Sequence, residues 1–275
     1  MTGSAANGAG TLKVRLEAMA MAFDVTLDGF TDEAAARDAL EAFHRDLIDA
    51  DDTFSLFRSD TPMARVANGD LALEHAPAQI AEVLDLCEQF RIATAGAFNA
   101  RRPDGVVDPS GIVKTWAVAR ATRHLGEIPR WLVSASGDVV VGGGAAREGA
   151  VGERAERRVG IADPRVKGDP AGTDVLDVVL LGGKVTAVAT SGSSQVADHI
   201  WDPLTGEPAR HYLQASVAGN DLVACDAWAT AICAGGAPVV ERAAAAGFEL
   251  LIVAGGRSEG GYEAVATPGW PSAVA

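Results

Sequence analysis

Asp226 and Thr230 stand four residues apart within Ser216 to Gly236, a stretch that reads as a short strand, a turn at Gly219-Asn220 and a helix of small residues. On a helix, residues four apart lie one above the other on one face. A carboxylate and a hydroxyl stacked in this way are hard oxygen donors aimed at one point. They suit Mg²⁺, which takes few protein ligands and fills its shell with water and phosphate. Ala224, Ala227, Ala229 and Ala231 leave room for a ligand or another backbone to come close. The same residues also fit a buried structural helix, with Asp226 stabilised near its N-terminus by the macrodipole and Thr230 bonded back to a carbonyl. This stretch alone leaves both readings open.

Five further stretches carry polar groups in ordered positions. Asp108-Pro109-Ser110-Gly111-Ile112-Val113-Lys114 starts a helix that Asp108 or Ser110 is expected to cap. Its free amides suit a phosphate, and Lys114 either adds charge to that group or is a solvated lysine on an amphipathic helix. Thr94-Ala95-Gly96-Ala97-Phe98-Asn99 ends a helix and enters a loop. It is either a plain C-cap or a place where backbone amides meet a ligand edge, with Phe98 as an apolar wall. Ser134-Ala135-Ser136-Gly137-Asp138 is a hairpin turn whose small side chains would also admit a flat ring. Thr190-Ser191-Gly192-Ser193-Ser194 and Asp198-His199-Ile200-Trp201-Asp202-Pro203-Leu204-Thr205-Gly206 are two turn-like runs flanking one histidine. His44, His75 and His124 fall on helix faces or ends, where solvated roles are expected. Ser191 with His199 is a poor hydrolase pair without a GxSxG elbow. HExxH, HxxxH and CxxC spacings are missing, as is a GxxxxGK[ST] loop, and Gly142-Gly143-Gly144 lacks dinucleotide-binding spacing.

The elements that position these groups follow from periodicity. Leu12-Val14-Leu16 and Phe23-Val25-Leu27 alternate as two strands. Thr31 is expected to cap a helix reaching about Asp51, with Leu40, Phe43 and Leu47 on one face. Phe54-Ser55-Leu56-Phe57 follows, and Pro62 begins a short helix ending at Asn68-Gly69. Pro77 opens a helix that stops near Gly96. The segment from Ala97 to Ser110 is a loop, and Gly111 to Leu125 is helix. Strands are expected at 131–133, 139–141, 158–162, 175–181, 184–189, 248–253 and 262–266, with a surface loop over 143–156 and a helix from Pro238 to Ala246. The reading is an α+β fold of mixed, largely antiparallel sheets with packed helices. Residues 1–10 are expected to form a flexible tail and residues 11–275 a single domain.

The 275-residue chain is 48% hydrophobic and 22% charged, ordinary for a globular enzyme. Its net charge of -14 argues against a nucleic-acid partner. An acidic protein that handles phosphate needs a cation or local Lys/Arg groups to offset repulsion. Cys87, Cys225 and Cys233 form no CxxC and read as buried small hydrophobes in a reducing compartment. The N-terminus shows no signal peptide or lipid-bearing cysteine, and no run is long enough to insert in a membrane, so a cytoplasmic location is expected.

In order along the chain, these stretches resemble the ApbE family, the FAD:protein FMN transferases. The family's MGT-x-aromatic start is similar to Met19-Ala20-Met21-Ala22-Phe23, and its FSxY/F segment to Phe54-Ser55-Leu56-Phe57. TxGAFD is similar to Thr94 to Asn99, DPSGLVKG to Asp108 to Thr115, and N-x-GGD to Ser134 to Asp138. ATSG, HIxDPxTG and ADAxAT appear as Ala189 to Gly192, His199 to Gly206 and Cys225 to Thr230. Asn99 stands where the family has aspartate, Thr115 and Ala20 where it has glycine, and Ser134 and Ser136 where it has asparagine and glycine.

The resemblance implies a cleft holding FAD as substrate, with Mg²⁺ on its pyrophosphate held by Asp226, Thr230 and the Gly111 carbonyl. It implies that Met19, Phe57, Ala97, Phe98, Asn99, Lys114 and Ile200 contact FAD, and that His199 and Lys114 serve catalysis. The implied reaction is Mg-dependent transfer of FMN to a Thr or Ser hydroxyl of an acceptor flavoprotein, releasing AMP. Hydrolysis of FAD to FMN and AMP, or flavin binding without catalysis, are the alternatives.

Overall fold

Apolar side chains at every second residue place eight of the ten described strands in one sheet. The computed structural model describes residues 9–143, 156–166, 174–192, 200–255 and 261–274. The start of the expected tail, most of the loop expected over 143–156, and His199 lie outside the described residues. β1 (Gly10–Ala18) alternates half-buried and exposed residues, and β2 (Met21–Phe30) buries Phe23, Val25 and Leu27. Met19 and Ala20 join them in a tight turn with both residues at positive φ, 51° and 56°. Gly10, assigned in sequence to the tail, pairs with Phe30 as the first residue of β1.

α1 (Glu33–Phe54) buries Leu40, Phe43, Leu47 and Phe54 along one stripe. Its cap is Asp32, not Thr31: Asp32 Oδ1 accepts from the Ala35 amide at 3.0 Å, and a carboxylate is the stronger acceptor at a helix N-terminus. α2 (Pro62–Ala67) is capped by Thr61, and α3 (Ala78–Ala93) follows. α4 (Ser110–Ala121) yields to a 3₁₀ turn over Thr122–Leu125, so the expected helix to Leu125 changes pitch in its last turn.

β3 (Arg130–Ala135) and β4 (Asp138–Gly142) form a hairpin, and β5 (Arg157–Ala162) and β6 (Val175–Leu181) pair as a separate ribbon. β7 (Ala187–Gly192) begins three residues later than expected from sequence, because Gly182 and Val185 close a tight turn around Gly183 and Lys184. Thr190-Ser191-Gly192 is therefore strand, paired with Gln214 to Ser216, and not turn. β8 (Gln214–Gly219), α5 (Leu222–Gly235), α6 (Ala237–Ala245), β9 (Glu249–Gly255) and β10 (Tyr262–Ala266) complete the order.

The main sheet runs β1-β2-β3-β4-β7-β8-β9-β10 with every pairing antiparallel. Its two faces bury different partners. Ala187, Ala189, Ala215 and Val217 face α5 and, through it, α4 and α1. Val139, Val141, Val188 and Ala218 face the β5–β6 ribbon and Trp270. Period-two burial has sorted one set of strands onto two cores. Among the described residues no helix is long and apolar enough to cross a membrane.

All three cysteines are free and buried. Burial pushes the Cys87 and Cys233 thiols up to about 12, and Cys225 upward as well. Thiolate is the reactive form. Ellman's reagent at neutral pH is therefore expected to find no fast-reacting thiol in the folded chain and three after unfolding in guanidinium. A rapid native reaction would contradict this burial.

Candidate active site

α5 is the most enclosed helix, with twelve buried residues between Leu222 and Ala234. Asp221 caps it by accepting from the Ala224 amide at 3.1 Å. Its alanines let α5 lie close on β7, β8 and α4. That close approach forces Asp226, at 5% exposure, against α4.

Lys114 and Thr115 meet it from α4. Lys114 Nζ lies 4.0 Å from Asp226 Oδ2 and 2.5 Å from Asp138 Oδ2. Thr115 Oγ1 donates to Asp226 Oδ2 at 2.9 Å. Asp138 enters from the β3–β4 hairpin, whose turn residues Ser136 and Gly137 both take positive φ, 49° and 92°. This two-residue turn aims the first residue of β4 inward. Asp138 Oδ1 accepts from the Thr190 amide at 3.0 Å, tying the carboxylate to β7.

The cluster thus holds two buried carboxylates and one ammonium. Burial alone would lower the Lys114 pKa, but Asp226 and Asp138 together outweigh it and raise it, so Lys114 stays charged. Burial, then the charge of Asp226, pushes Asp138 up to about 7 against the pull of Lys114. Burial also raises Asp226, opposed by Lys114 and the Thr115 hydrogen bond. One ammonium faces two carboxylates, and ionising both would leave the site with net negative charge.

A cleft of about 930 Å³ opens over this cluster, near the top of the roughly 300–1,000 Å³ range of ligand pockets. Of the residues expected from sequence to act together, it brings in Ala97, Phe98, Asn99, Gly111, Lys114, Ile200, Asp226 and Thr230. Met19 and Phe57 do not line it. The Met19 amide donates to Asp51 Oδ2 at 3.2 Å, and the Phe57 side chain is fully exposed.

Each wall has a local cause. Ala95 and Gly96 turn the chain at positive φ, 56° and 91°, after α3. Thr94 Oγ1 then accepts from the Phe98 amide at 2.9 Å, which seats Phe98 against Gly111. A Cβ on Gly111 would lie 3.2 Å from the Phe98 ring, so this helix start has no room for a larger residue unless the ring moves. Asn99 Oδ1 accepts from the Arg101 amide at 2.9 Å, stiffening the loop that follows. Neither Asp108 nor Ser110 caps α4 as expected: Pro109 holds the cap position without a side-chain bond, and Asp108 Oδ1 instead accepts from the Ser110 amide at 3.0 Å. Thr230 pairs with Ser191 Oγ at 3.1 Å.

Sequence reasoning missed Asp138 as the partner of Lys114. The turn containing it was singled out, but for its small side chains and not its carboxylate. A buried aspartate directly after a two-residue hairpin turn, in a chain with a helical lysine unaccounted for, was the available signal. Thr115 stood out only as a departure from a pattern.

Among the described residues no three His, Cys, Asp or Glu side chains cluster. Asp226, Thr230 and Gly111 line the cleft and carry a carboxylate, a hydroxyl and a backbone carbonyl. That set fits a small hard cation that keeps most of its shell as water and phosphate oxygen.

Solved structures share this fold. A flavin transferase ApbE from Vibrio cholerae aligns at TM-score 0.73 and 19% identity, over 95% of this chain and 98% of its own. An ApbE protein from Thermotoga maritima aligns at 0.71 and 22%, over 94% and 97%. The flavinyl transferase ApbE of Pseudomonas stutzeri aligns at 0.74 and 18%, over 94% and 95%. No curated protein sequence matches the chain. The ApbE family model matches residues 100–252, more than half of the chain and the part that holds Lys114, Thr115, Asp138, Asp226 and Thr230, and this protein belongs to the ApbE family.

Proposed function

We propose that this chain transfers FMN from FAD to a Ser or Thr hydroxyl of an acceptor flavoprotein, with release of AMP. The observation that carries the reading is a large cleft lined by Lys114 and Asp226, with Asp138 paired to Lys114 from outside the cleft lining. Family membership and the two flavin and flavinyl transferases of like fold support it.

In this reading Asp226, Thr230 and the Gly111 carbonyl would hold Mg²⁺, which when bound would supply positive charge to the phosphoryl group. Lys114 keeps a fixed ammonium beside the pyrophosphate. Asp138 holds that ammonium in place from below. Ala97, Phe98, Asn99 and Ile200 contact the FAD, Phe98 offering an apolar face and Asn99 an amide edge. Met19 and Phe57 enter only as contacts for a part of FAD that extends beyond the cleft.

The acceptor hydroxyl oxygen bonds to the phosphorus on the FMN side. The pyrophosphate P–O bond breaks, and AMP leaves with the bridging oxygen. The hydroxyl proton passes to a base, the role we assign to His199. Phosphoryl transfer asks the protein chiefly for positioning and charge neutralisation, which matches a site built from one lysine and oxygen donors. Residues 11–275 act as one unit in this account, since β1 and β10 are the two edges of one sheet.

The test follows AMP release from FAD and Mg²⁺ with and without an acceptor carrying a Ser/Thr flavinylation motif. AMP formed only with the acceptor, matched by labelled acceptor, supports transfer. AMP without acceptor makes the chain an FAD pyrophosphatase, and FAD binding without AMP makes it a flavin-binding protein. His199→Ala is expected to slow transfer by about 10²–10⁴-fold, the usual worth of a general base, with FAD affinity retained. Equal loss of affinity and rate would remove His199 from the proton transfer.

A further inference from the structure

Thr115 is fully buried in α4, next to Lys114. A buried hydroxyl needs a partner, and this one has two acceptors in reach. Its Oγ1 lies 3.1 Å from the Ile112 carbonyl, the local contact open to many helical threonines. It also lies 2.9 Å from Asp226 Oδ2, across to α5. Its single proton favours the charged acceptor. A carboxylate on a short side chain otherwise turns freely about its last bond, whose torsional wells are broad. The Thr115 hydroxyl pins one oxygen of Asp226 on the side of α4. Lys114 Nζ stands 4.0 Å from that same oxygen.

We propose that Thr115 is a positioning residue that clamps Asp226 in the orientation needed to hold a divalent cation at the cleft floor. The inference rests on the metal role given to Asp226 above. A Thr115 that merely filled space would be replaced without loss by valine, which has the same shape and no hydroxyl.

The experiment titrates Mn²⁺, a hard octahedral probe followed by its paramagnetic signal, into the full chain and its variants, with metal-free melting curves measured alongside. T115V is expected to weaken Mn²⁺ binding by about 10-fold or more, the range seen when a partner of a metal ligand is lost. T115S, which keeps the hydroxyl, is expected to bind within about threefold of the parent, well short of that loss. If T115V melts too low to assay, T115A removes the hydroxyl without placing a methyl group against the carboxylate and is read in the same way. Parent-like Mn²⁺ affinity in T115V or T115A overturns the clamp, and so does a T115S variant as weak as T115V. Mn²⁺ binding by the parent that D226N leaves unchanged overturns the metal role of Asp226 instead, so the two failures are distinct.

Discussion

Lys114→Met is expected to destabilise the fold by about 3–5 kcal/mol, the cost of removing one partner from a buried ion pair. Methionine fills the same space, so the loss is electrostatic. Asp138 and Asp226 would then face each other in a buried site without their ammonium. Against a total stability of about 5–15 kcal/mol for a domain, this is a large fraction. The pH dependence gives a second readout. Burial first, then the charge of Asp226, already holds Asp138 up at about 7, against an ordinary value of 3.8. Burial raises Asp226 too. Without Lys114 both are raised further. A carboxylate with a raised folded-state pKa leaves stability intact below its unfolded value and removes it as pH rises through the folded one. The gap in melting temperature between parent and Lys114→Met should therefore be small at pH 4 and widen through neutrality. A constant gap would show that the damage is packing and not charge.

Asp226→Asn is expected to act in opposite directions on activity and stability. Asparagine keeps the shape, and its carbonyl can still accept from Thr115. It removes one of two like charges competing for Lys114, so the melting temperature should equal or exceed that of the parent. FMN transfer should fall by about 10³-fold, roughly 4 kcal/mol of transition-state stabilisation, if the carboxylate holds the cation that neutralises the transferring phosphate. Excess Mg²⁺ should recover part of this loss. A stable variant with poor activity is the mark of a residue kept for function at some cost to the fold. Lower stability with unchanged Mg²⁺-dependent transfer would assign Asp226 to structure alone.

The strands and helices were legible where burial is periodic. The alternation of Phe23, Val25 and Leu27 gave β2, and the stripe of Leu40, Phe43 and Leu47 gave α1. Boundaries set by local polar geometry were harder to read. Thr31 and Asp32 both suit a cap, and only the bond to the Ala35 amide decides between them. The start of β7 depends on a turn around Gly183 and Lys184, and sequence had the strand already begun at Lys184. The site was legible as a set of stretches, because hydroxyls, glycines and a helical Asp/Thr pair stand out one at a time. What joins them is long-range. Thr115 and Asp226 are 111 positions apart, and the Lys114–Asp138 pair spans α4 and a hairpin. Neither contact leaves a local pattern. Phe57 shows the reverse case: a motif position read as a ligand contact whose ring stands in solvent, outside the cleft.

Covalent flavin transfer from this cleft leaves a product that can be read on the acceptor itself. The most direct measurement incubates the protein with FAD, Mg²⁺ and an acceptor bearing a Ser/Thr flavinylation motif, then reads flavin fluorescence on a denaturing gel. A fluorescent acceptor band is expected that vanishes with EDTA, and with substitution of the acceptor hydroxyl residue by alanine. A band that persists in EDTA, or FAD bound to the chain with neither labelled acceptor nor AMP, would contradict it.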